Sequence, residues 1–143
     1  MPASAAFEDI ADNFELFDDW EDRYRYVIDL GKELPPLAED RRTDTSKVEG
    51  CASQVWLVPD VRIEEGEEKL FFEGDSDAMI VRGLIGVLIA LISGQRLADI
   101  REMDIRAQLA RLHLDQALSA QRSNGLRAMV QRIEDIARAA KAA

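Results

Sequence analysis

Phe7, Ile10, Ala11, Phe14 and Phe17 recur three and four residues apart, the spacing of a single helical face. The chain is therefore expected to open with an amphipathic helix that ends near Asp18. Asp18 or Asp19 then caps a second helix with its apolar stripe on Trp20, Tyr24, Val27 and Ile28, closed by Gly31 and the Pro35-Pro36 pair. Residues 38–49 are polar, contain Arg41 and Arg42 and keep no period, as a surface loop does. The pattern next becomes β-branched and aromatic: residues 55–58 and 61–63 make one strand, and 69–72 make its antiparallel partner across the Glu64-Glu65-Gly66-Glu67 turn. Pro59 has no N–H for a ladder, which predicts a bulge or an edge position. A third short strand is expected from the residues before Cys51. At Gly74-Asp75-Ser76-Asp77 the period changes from two to 3.6. Asp75 or Ser76 is the expected cap and Asp77 a favourable charge at the start of a helix over 77–92. Residues 97–103, 105–112 and 119–142 read as two short helices and a long last one, with Leu126, Met129, Val130 and Ile133 on its stripe.

Helices, then strands, then helices argue for an α+β fold rather than an alternating α/β one. The 143 residues suit a single domain over 1–143 that hides about two-thirds of its unfolded surface. The net charge of −10 repels phosphate backbones and anionic lipid, so neither nucleic acid nor a membrane is an expected partner. The first seven residues lack the basic start and apolar stretch of a secretory signal. The longest apolar segment, 79–93, contains Arg82 and is short for a bilayer span, so a buried core helix is expected. A reducing, cytoplasmic setting fits a chain with one cysteine.

That cysteine, Cys51, follows Gly50 at a loop-to-strand junction, where a thiol can be held by a rigid sheet and still be reached. Free cysteines are also commonly buried and inert, and the local residues do not decide between the two. Lys47 would lower the thiol pKa and Glu49 would raise it. The one histidine, His113, is more than sixty positions away on a short helix, far in sequence from a role as partner base. One Cys and one His do not make a structural zinc or cluster site, so no bound cofactor is expected. Arg122 falls in the first turn of the last helix, where a cation is disfavoured, which makes it a candidate for partner binding. Gly125 inside the same helix hints that another backbone approaches closely. Asp75 and Asp77 read as caps before acid–base pairs, and Trp20, Tyr24 and Trp56 as core aromatics.

Four strings resemble motifs of the SufE family, including its CsdE branch. They are Val48-Glu49-Gly50-Cys51-Ala52-Ser53-Gln54-Val55-Trp56, Gly74-Asp75-Ser76-Asp77-Ala78 through Ile80-Val81-Arg82-Gly83-Leu84, Arg122-Ser123-Asn124-Gly125-Leu126 with Met129, and Tyr26 to Gly31 with Leu34-Pro35. The resemblance spans nearly the whole chain in order. It implies a small antiparallel sheet with helices on one face, like U-type scaffold proteins. It implies that Cys51 accepts persulfide sulfur from a pyridoxal-phosphate cysteine desulfurase (SufS-like or CsdA-like), stimulates that enzyme, and delivers sulfur to a SufBCD-like scaffold complex for iron–sulfur cluster assembly. On this reading the chain is a carrier and activator of the SUF system rather than an enzyme. The alternative is a Cys51-dependent hydrolase or peroxidase. The resemblance also implies that Arg122 contributes to the desulfurase interface and that the Asp75 turn restrains the cysteine loop. The loop over 46–53 is expected to shelter Cys51 at rest and swing outward on docking, with Gly50 permitting the motion.

Overall fold

The computed structural model describes residues 4–114 and 118–140. Helix α1 (Ala5–Leu16) is capped by Ser4, whose hydroxyl accepts from the Phe7 N–H at 3.2 Å. Of the two candidate caps for α2 (Trp20–Glu33), Asp19 takes the position and accepts from the Asp22 N–H at 2.8 Å. A single 3-10 turn, Glu39–Arg41, interrupts the following loop. Strands β1 (Val55–Glu64) and β2 (Glu67–Ser76) form one long antiparallel hairpin. Its two-residue turn places Glu65 and Gly66 at φ 55 and 78, the sign that matches strand twist in a tight hairpin.

The hairpin runs without a bulge through Pro59, which pairs with Phe72. The Phe72 N–H points away from β1, to the Ser93 hydroxyl at 3.2 Å. The absent Pro59 N–H thus falls on the open side of β1, the outer strand in the order β1-β2-β3, and an edge placement is what a proline requires.

Two expectations need correction here. The third strand, β3 (Gln95–Arg96), comes from after the central helix, not from before Cys51, and pairs with Lys69 and Leu70. Gly94, at φ 87, turns the chain back and donates its N–H to the Leu70 carbonyl at 2.7 Å. The segment before Cys51 contributes one bridge, Lys47 opposite Trp56. Secondly, the central helix α3 is Met79–Ile92, not 77–92, with Ala78 as its cap residue. Asp75 and Ser76 do not cap it, because both still belong to β2, paired with Trp56 and Val55.

Helix α3 is buried along nine of its fourteen residues, as an apolar run on most sides predicts. It crosses α2 where Gly31 and Gly83 face one another. A Cβ on Gly83 would meet the Val27 carbonyl carbon at 2.8 Å and its side chain at 2.6 Å, and one on Gly31 would meet the Gly83 nitrogen at 2.9 Å. Val55, Leu57, Leu70 and Phe72 supply the sheet's contribution to the core. The short helices α4 (Leu97–Glu102) and α5 (Ile105–Ala110) follow, then α6 (Ala120–Ala139), whose cap Ser119 accepts from the Arg122 N–H. Met129, Val130 and Ile133 are buried and Leu126 partly so. The predicted end of this helix at Ala142 lies outside the described residues. Trp20, Tyr24 and Trp56 are half-buried rather than core, each beside an arginine: Arg23 stacks on Trp20, Arg42 on Trp56, and Arg122 donates to Tyr24. Among the described residues, no helix is long and apolar enough to cross a membrane.

Candidate functional site

Cys51 sits in a short excursion of chain that leaves and rejoins β1. Its base is closed by two backbone hydrogen bonds of 2.8 Å, Val48 N–H to the Val55 carbonyl and Leu57 N–H to the Ser46 carbonyl. A reciprocal pair closes the downstream side. The Gln54 N–H donates to the Asp77 carboxylate at 3.0 Å, and the Asp77 N–H to the Gln54 carbonyl at 3.3 Å. Gly50 supplies the turn at φ 88, which other residues rarely adopt.

The excursion lays Cys51 against the first turns of α6. Its thiol donates to the Gly125 carbonyl, Sγ to O 3.6 Å. A Cβ on Gly125 would meet Cys51 Sγ at 3.7 Å and its Cα at 4.0 Å, so the backbone approach that Gly125 hinted at is that of Cys51 itself. Val55, Val81, Leu84, Leu126 and Met129 line the cavity beside the thiol, with Arg122 at its rim. The cavity is about 20 Å³, space for one water-sized group.

The thiol is held in its protonated form. Burial pushes its pKa up, and the Glu49 carboxylate raises it further, because both disfavour a negative sulfur. A thiolate would also have no proton to offer the Gly125 carbonyl. Lys47, the candidate activating charge, lies back in the bridge to Trp56 and does not line the cavity. His113 is exposed beyond α5, at φ 52, and does not line the cavity either. Among the described residues, no group of three or more His, Cys, Asp or Glu is placed to hold a metal ion.

The other sequence candidates fall in two places. Arg122 joins Cys51 at the cavity, its guanidinium steadied by the Tyr24 hydroxyl at 3.0 Å. Asp75 lies elsewhere, fully buried at the end of β2. It accepts from the Leu37 N–H at 2.9 Å, the Ser76 N–H at 2.8 Å and Arg42 at 2.6 Å, and pairs with Arg82. Burial pushes its carboxyl pKa up, but the two backbone donors, Arg82 and Arg42 outweigh it and hold the group below the usual carboxylate range. Its contacts reach Leu37 and Arg42 of the loop upstream of the cysteine segment, and its strand neighbour Ser76 pairs with Val55. Its neighbour Asp77 is the carboxylate that binds the loop directly.

Sequence reasoning missed Arg82 as the partner of Asp75. The signal was present, since a charge within an apolar helix implies a buried counter-charge. It also missed Arg132 of α6, which reaches the carbonyls of Thr45 and Lys47. No local pattern marks such a contact.

Comparison with known proteins gives a consistent result. The family model SufE, described as an Fe-S metabolism associated domain, matches residues 8–137. An uncharacterised SufE-like protein of Rhizobium etli is 50% identical over 139 residues, 97% of this chain and 94% of that protein. One of Rhizobium meliloti is 48% identical over 129 residues, 90% and 92% of the two chains. The solution structure of a hypothetical protein from Thermus thermophilus has a TM-score of 0.71 at 19% identity, covering 96% of each chain, and so shares the α+β fold.

Proposed function

Because the chain belongs to the SufE family, whose domain is associated with iron–sulfur metabolism, we propose that it is a sulfur acceptor: Cys51 takes sulfur from the persulfide of a cysteine desulfurase, stimulates that enzyme, and passes the sulfur toward cluster assembly. The observation that carries this reading is a lone thiol in a largely apolar cavity that, among the described residues, no histidine or carboxylate lines. Such a thiol cannot activate itself, yet a persulfide donor needs little activation, because its outer sulfur is already electrophilic.

In the transfer, Cys51 loses its proton and its sulfur attacks the outer sulfur of the donor persulfide. A new S–S bond forms on Cys51 as the bond within the donor breaks, and the donor cysteine leaves as a thiolate that takes up the proton Cys51 released. Orientation and charge come from the docked enzyme, whose pyridoxal phosphate performs the preceding desulfuration. This chain contributes reach and shelter. Gly50 lets the thiol leave α6, and on return the small cavity accommodates one added sulfur among Val81, Leu84, Leu126 and Met129, away from reductants. Arg122 at the rim is the proposed contact for the enzyme, and a SufBCD-like scaffold the proposed recipient. The thiol-hydrolase or peroxidase alternative is less well supported, since either enzyme must form its thiolate unaided, whereas the acceptor meets its thiolate requirement in the docked complex, and among the described residues no histidine or carboxylate lines the cavity.

Intact-protein mass spectrometry after incubation with a cysteine desulfurase, pyridoxal phosphate and cysteine tests the proposal. A reductant-sensitive gain of one sulfur atom is expected in the wild type and not in Cys51→Ala. No gain with either SufS-like or CsdA-like enzymes would overturn it.

A further inference from the structure

Sulfur transfer assigns no role to Arg132, although it lies two turns along α6 from Gly125 and holds the segment that leads into Cys51. Its guanidinium donates to the Thr45 carbonyl and, at 3.5 Å, to that of Lys47. The residues in between face the opposite way. The Ser46 carbonyl and the Val48 N–H bind β1, at Leu57 and Val55. The stretch 45–48 is thus gripped on alternate sides, by the edge of β1 and by Arg132. Thr45, Ser46, Leu57, Ile136 and Arg132 together line one cleft between this stretch and the helix. Charge-assisted bonds to backbone carbonyls hold position rather than sequence, so the contact fits a mechanical role.

Beyond residue 48 the grip changes. The stretch 49–53 is attached to α6 through the weak Cys51 thiol bond to Gly125, until Gln54 is caught again by Asp77. The left-handed Gly50 lies at the junction.

We propose that Arg132 is a positioning residue that pins residues 45–48 to α6 and so confines the outward movement of Cys51 to residues 49–53, a shorter moving unit than the 46–53 loop expected from sequence. A short hinged segment carries the thiol out and returns it to one place. A longer one would expose the sheltered sulfur more often and present it in many orientations. The purpose of the pin rests on the sulfur-acceptor reading, whereas the pin itself is a property of the free protein.

The test compares wild type, Arg132→Ala and Arg132→Lys by residue-resolved amide exchange and by iodoacetamide alkylation of Cys51 at fixed pH. In Arg132→Ala the Val48 and Leu57 amides are expected to exchange about tenfold faster and Cys51 to alkylate severalfold faster, while the Leu88 amide of α3 keeps its wild-type rate. Arg132→Lys, with a cation that reaches one carbonyl, is expected to return these rates to within about threefold of wild type. Unchanged Val48 and Leu57 exchange in Arg132→Ala would overturn the pin, and so would an equal acceleration at Leu88, which marks global destabilisation. A second arm adds a pyridoxal-phosphate cysteine desulfurase. Exchange is expected to change within 49–53 in wild type and to spread into 45–48 in Arg132→Ala. A wild-type change that already extends through 45–48 overturns the confinement. If no desulfurase alters exchange or loads sulfur onto wild type, the acceptor reading fails, and the free-protein result still decides whether Arg132 pins the segment.

Discussion

At the scale of single residues, the proposed chemistry turns on how the protein keeps Cys51 protonated. Burial is the first cause and Glu49 the second, so the thiol loses its proton only above the ordinary cysteine range. Alkylation of the free protein should therefore be slow near neutrality and rise with pH to a midpoint above that of an unperturbed thiol. Replacing Glu49 with Gln removes the smaller cause. The midpoint in iodoacetamide rate against pH should move down toward the ordinary value without reaching it, and an unmoved midpoint would remove Glu49 from the account. Cys51, Glu49 and Gly125 were all legible in the sequence, because each breaks a local expectation: a lone thiol, an opposing charge, a glycine inside a helix. Arg132 was not legible. Its partners are backbone carbonyls of a loop some eighty-five residues earlier, and a solvated arginine has the same sequence signature.

At the scale of elements, close crossing of α2 and α3 sets the frame on which the loop rests. Gly83 and Gly86 both lie inside α3, and alanine at either gains about 1 kcal/mol of helix propensity. Their surroundings differ. A Cβ on Gly86 would find its nearest neighbours at 3.8 and 3.9 Å, whereas on Gly83 it would strike Val27. Gly86→Ala should raise the urea midpoint, and Gly83→Ala should lower stability by about 1–3 kcal/mol as the helices are forced apart. Equal effects would refute the crossing. Most elements were readable because their apolar period is long. The two exceptions have physical causes. Gln95–Arg96 is too short to show a period, and Asp75 and Ser76 resemble helix caps by composition while hydrogen-bond register keeps them in β2.

Across the whole molecule, one buried carboxylate joins parts that are distant in sequence. Asp75 binds Leu37 and Arg42 of the loop before Cys51, and it pairs with Arg82 of α3, which itself donates to the Gly31 carbonyl at the end of α2 and to that of Leu34. Asp75→Asn keeps the shape and removes the charge that two arginines answer. Breaking a buried pair in this way should cost about 3 kcal/mol in urea unfolding at neutral pH. The folded pKa of Asp75 is lowered, so its contribution is complete above the unfolded carboxyl value, about 3.9. That contribution is lost as pH falls through the lower folded value. The gap between wild type and Asp75→Asn should therefore narrow in acid, and a gap independent of pH would show that the charge is not what stabilises.

The seating of Cys51 against α6 also bears on what happens when two copies of the chain meet. A disulfide between two molecules needs the Cα atoms of both cysteines within about 7 Å of each other. A half-buried sulfur facing the Gly125 carbonyl cannot offer that approach until its loop has moved out. In air, then, the free protein should dimerise covalently only as often as the loop opens unaided. The seating that shelters the thiol in the single molecule thereby also keeps two molecules from becoming one covalent dimer.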